Sequence, residues 1–162
     1  MIILCVIILF LVALSIWCTK LYVKEKGKMS FYESMSLLGL PIVTFYQGDK
    51  KLHFLLDTGS NFSVLNKDIL NKIQYKEVGG SDTMQGLDGI EREVSFVEAS
   101  FNYKDKSYKE KFQVTPLTKA FKPIKKELNV DLMGILGNSF FVTYKYMFDF
   151  DNATAYPKNK LI

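Results

Sequence analysis

A chain of 162 residues, 48% hydrophobic and 23% charged, carries apolar material for one ordinary core and nothing that demands a second domain. Its formal charge of +4 is spread over lysines standing singly among apolar and acidic residues, so it lacks the clustered basic face that binds a phosphate backbone, and no nucleic-acid partner is expected. The cysteines, Cys5 and Cys18, both fall in the N-terminal apolar run and the one histidine is His53, which excludes a disulfide framework and a His- or Cys-based metal cluster in the rest of the chain.

Met1 to Cys18 reads MIILCVIILFLVALSIWC, apolar apart from Ser15. As a helix it extends roughly 27 Å, about the hydrocarbon core of a bilayer. A cleaved signal peptide needs a basic stretch before the apolar run and a small-x-small site after it, and neither is present. A lipoprotein signal ending at Cys18 is disfavoured by Trp17, which stands where a small residue belongs. Residues 1–19 are therefore expected to be a retained transmembrane helix, with Trp17 and Tyr22 at the membrane interface. Lys20, Lys24, Lys26 and Lys28 follow the span and no charged side chain precedes it, which places the globular part on the cytoplasmic side of a single-pass protein.

Residues 20–39 mix charge, Ser and Gly without a strong period and read as a linker. From residue 40 to 162 the pattern changes to short apolar runs broken by turn residues about every eight to twelve positions, the signature of an all-β domain. Pro41–Tyr46 and Leu52–Leu56 flank Gln47-Gly48-Asp49-Lys50, a hairpin with glycine at its turn. His53 reads as an exposed strand residue. Val64 to Ile73 suits a short helix or a strand-to-loop crossing. Glu93–Asn102 and Ser107–Thr115 alternate as two strands joined at Tyr103-Lys104-Asp105-Lys106. Phe121, Ile124 and Leu128 have helical spacing interrupted by Pro123, which predicts a short helix or irregular cover. Tyr146–Phe150 and Ala153–Tyr156 around Asp151-Asn152 read as a closing hairpin.

The chemistry is concentrated in Phe54-Leu55-Leu56-Asp57-Thr58-Gly59-Ser60, where a carboxylate ends an apolar strand and a glycine permits a sharp turn. Alone, Asp-Thr-Gly fits an Asx or ST turn capping a strand equally well. Further along, Met133-Gly134-Ile135-Leu136-Gly137 supplies two bulky apolar residues and then a glycine. Together the two motifs resemble the aspartic protease superfamily. PIVTFYQGDKKLHFLLDTGSNFSVL is similar to the opening hairpin and active-site loop of retroviral proteases, and ILGNSFFVTYKYMFDFDNATAYP resembles the last strand, helical turn and closing hairpin of a pepsin lobe.

The resemblance implies a retropepsin-like acid protease barrel, a single lobe with one short helix, preceded by the transmembrane α-helix. It assigns catalysis to Asp57, inter-subunit bonding to Thr58, the turn to Gly59 and a hydrogen bond to the outer carboxylate oxygen to Ser60, with Ile135, Leu136 and Gly137 supporting the loop. The chain has one Asp-Thr-Gly where the chemistry needs two carboxylates, so the resemblance implies a homodimer hydrolysing a polypeptide substrate without metal or organic cofactor. Met84, Gln85, Gly86 and Leu87, inside the glycine-rich run Gly79 to Gly89, are expected to form a substrate flap, although an ordinary surface loop fits that run too. The competing functions are a non-catalytic peptide-binding module that keeps the fold and a membrane-associated dimerisation domain.

Overall fold

The computed structural model describes the backbone of residues 2–25, 27–85 and 91–158 and the side chains of 6–19, 27–79 and 94–158. It opens with α1 (Ile2–Glu25). Among the described residues no helix is long and apolar enough to cross a membrane. The side chains of α1 from Val6 to Thr19 are all exposed, so this apolar stretch is not buried against the described residues of the fold.

The stretch expected as a linker enters the fold. β1 (Met29–Ser30) pairs with a strand near the other end of the chain, and α2 (Tyr32–Leu38) follows. Met29 and Phe31 are buried, and the Phe31 N–H donates to the Ala153 carbonyl at 2.9 Å. Two isolated apolar residues show no period, which is why the sequence pattern passes over them.

β2 (Ile42–Gln47) and β3 (Lys50–Leu56) form the expected hairpin about Gly48-Asp49, with Gly48 in the left-handed region at φ +58. Val43, Phe45, Leu52, Phe54 and Leu56 point into the core. His53, on the opposite face, is half-buried rather than exposed: its Nδ1 lies 2.9 Å from Thr44 Oγ1, and burial pulls its pKa down.

β4 (Ser63–Asn66) leads into a 3-10 turn (Lys67–Lys72). β5 (Lys76–Gln85), β6 (Glu91–Tyr103) and β7 (Lys106–Thr115) make a meander, and α3 (Thr118–Leu128) crosses to β8 (Leu132–Leu136). The helix runs through Pro123, which forfeits one backbone bond without ending it. Phe121 and its flanking Ile124 and Leu128 cover Ile42 and Leu132, and that packing holds the helix together. Three short helices accompany the strands where one was expected, because α2 and α4 (Asn138–Tyr144) also form.

The sheet order is β2-β3-β8-β4-β7-β6-β5, and a further contact of β2 with β6 at Tyr46 and Asn102 bends the sheet into a partly closed barrel. Its interior is aromatic. Phe45 meets Phe54, Phe101 and Tyr108 edge-on with centroids 5.8, 5.1 and 5.7 Å away, and Phe140 closes the cluster from α4. β9 (Tyr146–Asp149) and β10 (Thr154–Pro157) form the closing hairpin, which with β1 makes a second, three-stranded sheet in which β9 is an edge.

Candidate active site

Asp57 lies one residue past the end of β3, and two neighbours determine where that strand ends. Leu56 N–H donates to the Pro41 carbonyl at 2.8 Å, and Asp57 N–H donates to the Leu136 carbonyl of β8 at 3.0 Å. β3 and β8 run parallel, with Leu55 opposite Ile135 and Leu56 opposite Leu136, so the loop leaves the sheet with its carboxylate at the strand's C-terminal end. The carboxylate folds back locally: Asp57 Oδ1 accepts the Gly59 N–H at 2.9 Å, and Ser60 N–H reaches the Asp57 carbonyl at 3.3 Å.

The Gly137 turn clasps this loop from the other side. Asn138 N–H donates to the Ser60 carbonyl at 2.8 Å, Ser139 N–H to the Asn61 carbonyl at 3.1 Å, and Asn138 Nδ2 to the Thr58 carbonyl at 2.8 Å. A Cβ on Gly137 would stand 2.7 Å from the Phe62 carbonyl carbon and 2.8 Å from the Ser60 oxygen, so only glycine lets the two chains approach this closely. The structure thus brings Asp57, Gly59, Ser60, Ile135, Leu136 and Gly137 together. Thr58 and Gly59 are exposed. Ser60 departs from expectation: its hydroxyl donates to the Phe62 carbonyl at 2.7 Å, not to the carboxylate. The loop's own backbone turn puts that carbonyl within closer reach.

Behind the loop lies a polar network that the sequence motifs did not reveal. Ser63 Oγ and Ser139 Oγ both donate to Glu110 Oε1, at 2.8 and 2.7 Å. Gly137 N–H donates to Ser63 Oγ and Ser63 N–H to Ser139 Oγ, each at 3.1 Å. Glu110 is 5% exposed, on the inward face of β7 between Tyr108 and Phe112. The available signal was a glutamate in phase with Tyr108, Phe112 and Val114 in a strand that otherwise alternates cleanly. Charges are seldom placed there without partners.

Burial pushes the Glu110 carboxyl above its ordinary 4.5, with the two serine hydroxyls opposing the shift and no charged group contributing. Because the folded state favours the protonated form, this residue adds stability below the ordinary glutamate range and loses that contribution as pH rises through the raised value. Glu110→Gln, neutral throughout, is expected to show a flatter stability profile than wild type between about pH 4 and 7, with its advantage on the neutral side. Thermal melts of the two proteins across that range check it.

β5 and β6 form the hairpin expected of a flap. Met84 and Gln85 lie on its outgoing strand, with Met84 opposite Arg92 and Gln85 opposite Glu91, whereas Gly86 and Leu87 fall outside the described residues. Among the described residues no group of three or more His, Cys, Asp or Glu side chains could hold a metal ion. A cavity of about 810 Å³ lies on the outer side of β2 and β3, lined by Tyr32, Thr44, His53, Tyr103 and Leu128 among others, and includes no residue of the Asp57 loop.

A family model described as aspartyl protease matches residues 43–140, a span that holds both the Asp57 loop and the glycine turn clasping it. The chain belongs to the aspartyl protease family. Solved structures similar to it include the following two. The EIAV protease complexed with the inhibitor HBY-793 is 20% identical over 70% of this chain and 95% of that one, with a TM-score of 0.46. A retropepsin-like aspartic protease from Rickettsia conorii is 16% identical over 80% of this chain and 87% of that one, with a TM-score of 0.44. No curated protein matches the chain. Within this aspartyl protease the matched region ends at Phe140, one residue past the Ser139 that joins the Glu110 network.

Proposed function

We propose that this chain is an aspartic endopeptidase that works as a homodimer, each copy giving one Asp57 to a shared pair, and that the apolar N-terminus anchors it to a membrane. The observation that carries the proposal is the Asp57 loop, clasped by hydrogen bonds from the Gly137 turn, with its Thr58–Gly59 tip left exposed. Two such carboxylates brought together share one proton, because both cannot ionise cheaply at close range. The ionised one takes a proton from water as the water attacks the peptide carbonyl, while the protonated one polarises that carbonyl and later protonates the leaving nitrogen.

Several features support the assembly. β9 has an unpaired edge, with Met147 exposed on the strand and Phe150 exposed in the turn just after it, the kind of edge that a second copy covers across a two-fold axis. Thr58 bonds between the two loops, and the β5–β6 hairpin serves as the flap, with Met84 and Gln85 ending its outgoing strand and Met84, Gln85, Gly86 and Leu87 assigned to substrate contact. The polypeptide lies extended between flap and floor, recognised by main-chain bonds.

The exposed apolar side chains of α1, with Lys20, Lys24, Lys26 and Lys28 beyond them, support a single-pass anchor with the protease on the cytoplasmic face. Confinement to one surface raises the effective concentration of protomers and so favours pairing.

The test is cleavage of a diverse peptide library by the full chain in lipid vesicles or detergent, across about pH 3 to 8 and over a wide range of protein concentration. The expected rate rises with the square of concentration while the dimer is dissociated and linearly once it is formed. A protein that demonstrably dimerises yet cleaves nothing at any pH defeats the protease reading, and peptide binding without cleavage then identifies a non-catalytic module.

A further inference from the structure

We infer that Glu110 is a positioning residue for the Asp57 loop, acting as an acceptor that leaves the Ser63 and Ser139 hydroxyls to receive the backbone N–H groups joining β4 to the Gly137 turn. The inference rests on the protease reading for its catalytic consequence but not for its structural one.

A carboxyl oxygen that carries no proton only accepts hydrogen bonds, and Glu110 Oε1 is the acceptor in both serine contacts. With Oε1 of Glu110 taking one proton from Ser63 Oγ and one from Ser139 Oγ, each hydroxyl has spent its single donor. Their lone pairs are left facing backbone N–H groups, and the structure shows both used: Ser63 Oγ accepts from Gly137, and Ser139 Oγ accepts from Ser63. Ser63 is the first residue of β4, directly after the Asp57–Phe62 loop, and Gly137 and Ser139 flank the Asn138 that holds Thr58 and Ser60. One oxygen on β7 thus fixes both ends of the clasp, and through it the position of Asp57.

An apolar residue on β7 would serve the aromatic core better at this inward position, since a buried carboxylate costs more than it returns unless its partners need it. Glutamine keeps a carbonyl oxygen at the same reach. Leucine keeps the approximate volume and removes the acceptor.

The test compares full-length wild type, Glu110→Gln and Glu110→Leu by two measurements. The first is amide hydrogen exchange at Ser63 and Gly137, referenced to the β2–β3 hairpin. Leucine is expected to speed exchange at both amides about tenfold relative to the hairpin, while glutamine leaves it near wild type. The second is steady-state kinetics, where leucine lowers kcat about tenfold with KM within about twofold and glutamine restores kcat to within about threefold.

Two further variants keep the test decisive if the leucine protein does not fold. Ser139→Ala should release the Ser63 amide more than the Gly137 amide, and Ser63→Ala the Gly137 amide more than others, following the wiring of the bonds. Exchange that rises equally in the hairpin, or that is unchanged at both amides, overturns the inference, as does glutamine behaving like leucine. If wild type cleaves no peptide while the exchange pattern holds, the positioning role stands and only the protease reading falls.

Discussion

Asp57→Asn is expected to remove nearly all peptide hydrolysis while leaving the fold intact. The asparagine side chain has the same shape and keeps an oxygen for the Gly59 N–H that Asp57 Oδ1 accepts, so the loop retains its turn. The clasp from Asn138 and Ser139 uses backbone carbonyls of Thr58, Ser60 and Asn61 and is untouched. What disappears is a carboxyl able to exchange a proton with water and substrate, and the expected fall in kcat/KM is roughly 10²- to 10⁴-fold or more at an unchanged melting temperature.

The same variant reports on assembly. In a mixture whose subunits exchange freely, wild-type pairs form as the square of the wild-type fraction, so a ninefold excess of Asp57→Asn lowers the activity of a fixed amount of wild type about tenfold. Activity indifferent to added mutant would mean that one chain supplies both catalytic groups, and the homodimer would have to be abandoned.

Gly137→Ala should cost about 3 kcal/mol or more and remove activity with it, a loss set by backbone geometry. The added carbon would meet the carbonyls of Phe62 and Ser60, which belong to the Asp57 loop and cannot rotate aside as a side chain could. Relief requires the loop and the turn to separate, which breaks the Asn138 and Ser139 bonds to Ser60 and Asn61. Gly134→Ala should be at least as damaging, because its Cβ would run into the Val64 carbonyl and come within 3.1 Å of the Leu65 Cα on β4. Gly79→Ala is the control: nothing among the described residues lies within 4 Å of its Cβ, and a change of no more than about 0.5 kcal/mol is expected. Chemical denaturation of the three variants checks the ranking. Equal costs at positions 79 and 137 would show that the close approach of the two chains is not what requires glycine.

Much of the architecture was legible because it is local. The β2–β3 hairpin, the Asp57 turn, the β6–β7 pair and the closing hairpin are each specified by residues within a few positions of one another, through period-two alternation and the turn chemistry of Gly48, Gly59 and Asn152. The apolar pair before Gly137 was matched to the Asp57 strand through the resemblance to aspartic proteases, and the parallel pairing of β3 with β8 puts Leu55 and Leu56 opposite Ile135 and Leu136.

Other features depended on partners remote in sequence. Met29 and Phe31 looked like linker residues until β10 and the ring of Phe148 covered them, and Gly27 is tied in by a hydroxyl from Tyr146, 119 residues away. Pro123 argued against a continuous helix on local grounds, and the packing of Phe121 against the sheet outweighed the one lost bond. Glu110 stands in phase with the inward residues of its strand, but only the meeting of β4, β7 and α4 put two serine hydroxyls on its one oxygen. The sequence by itself determined the strands, the turns and the carboxylate, since backbone preference and side-chain alternation act over a few residues. The tertiary structure decided which polar groups are buried and what holds the Asp57 loop in place, because burial and hydrogen bonding are properties of neighbours that the chain brings together only on folding.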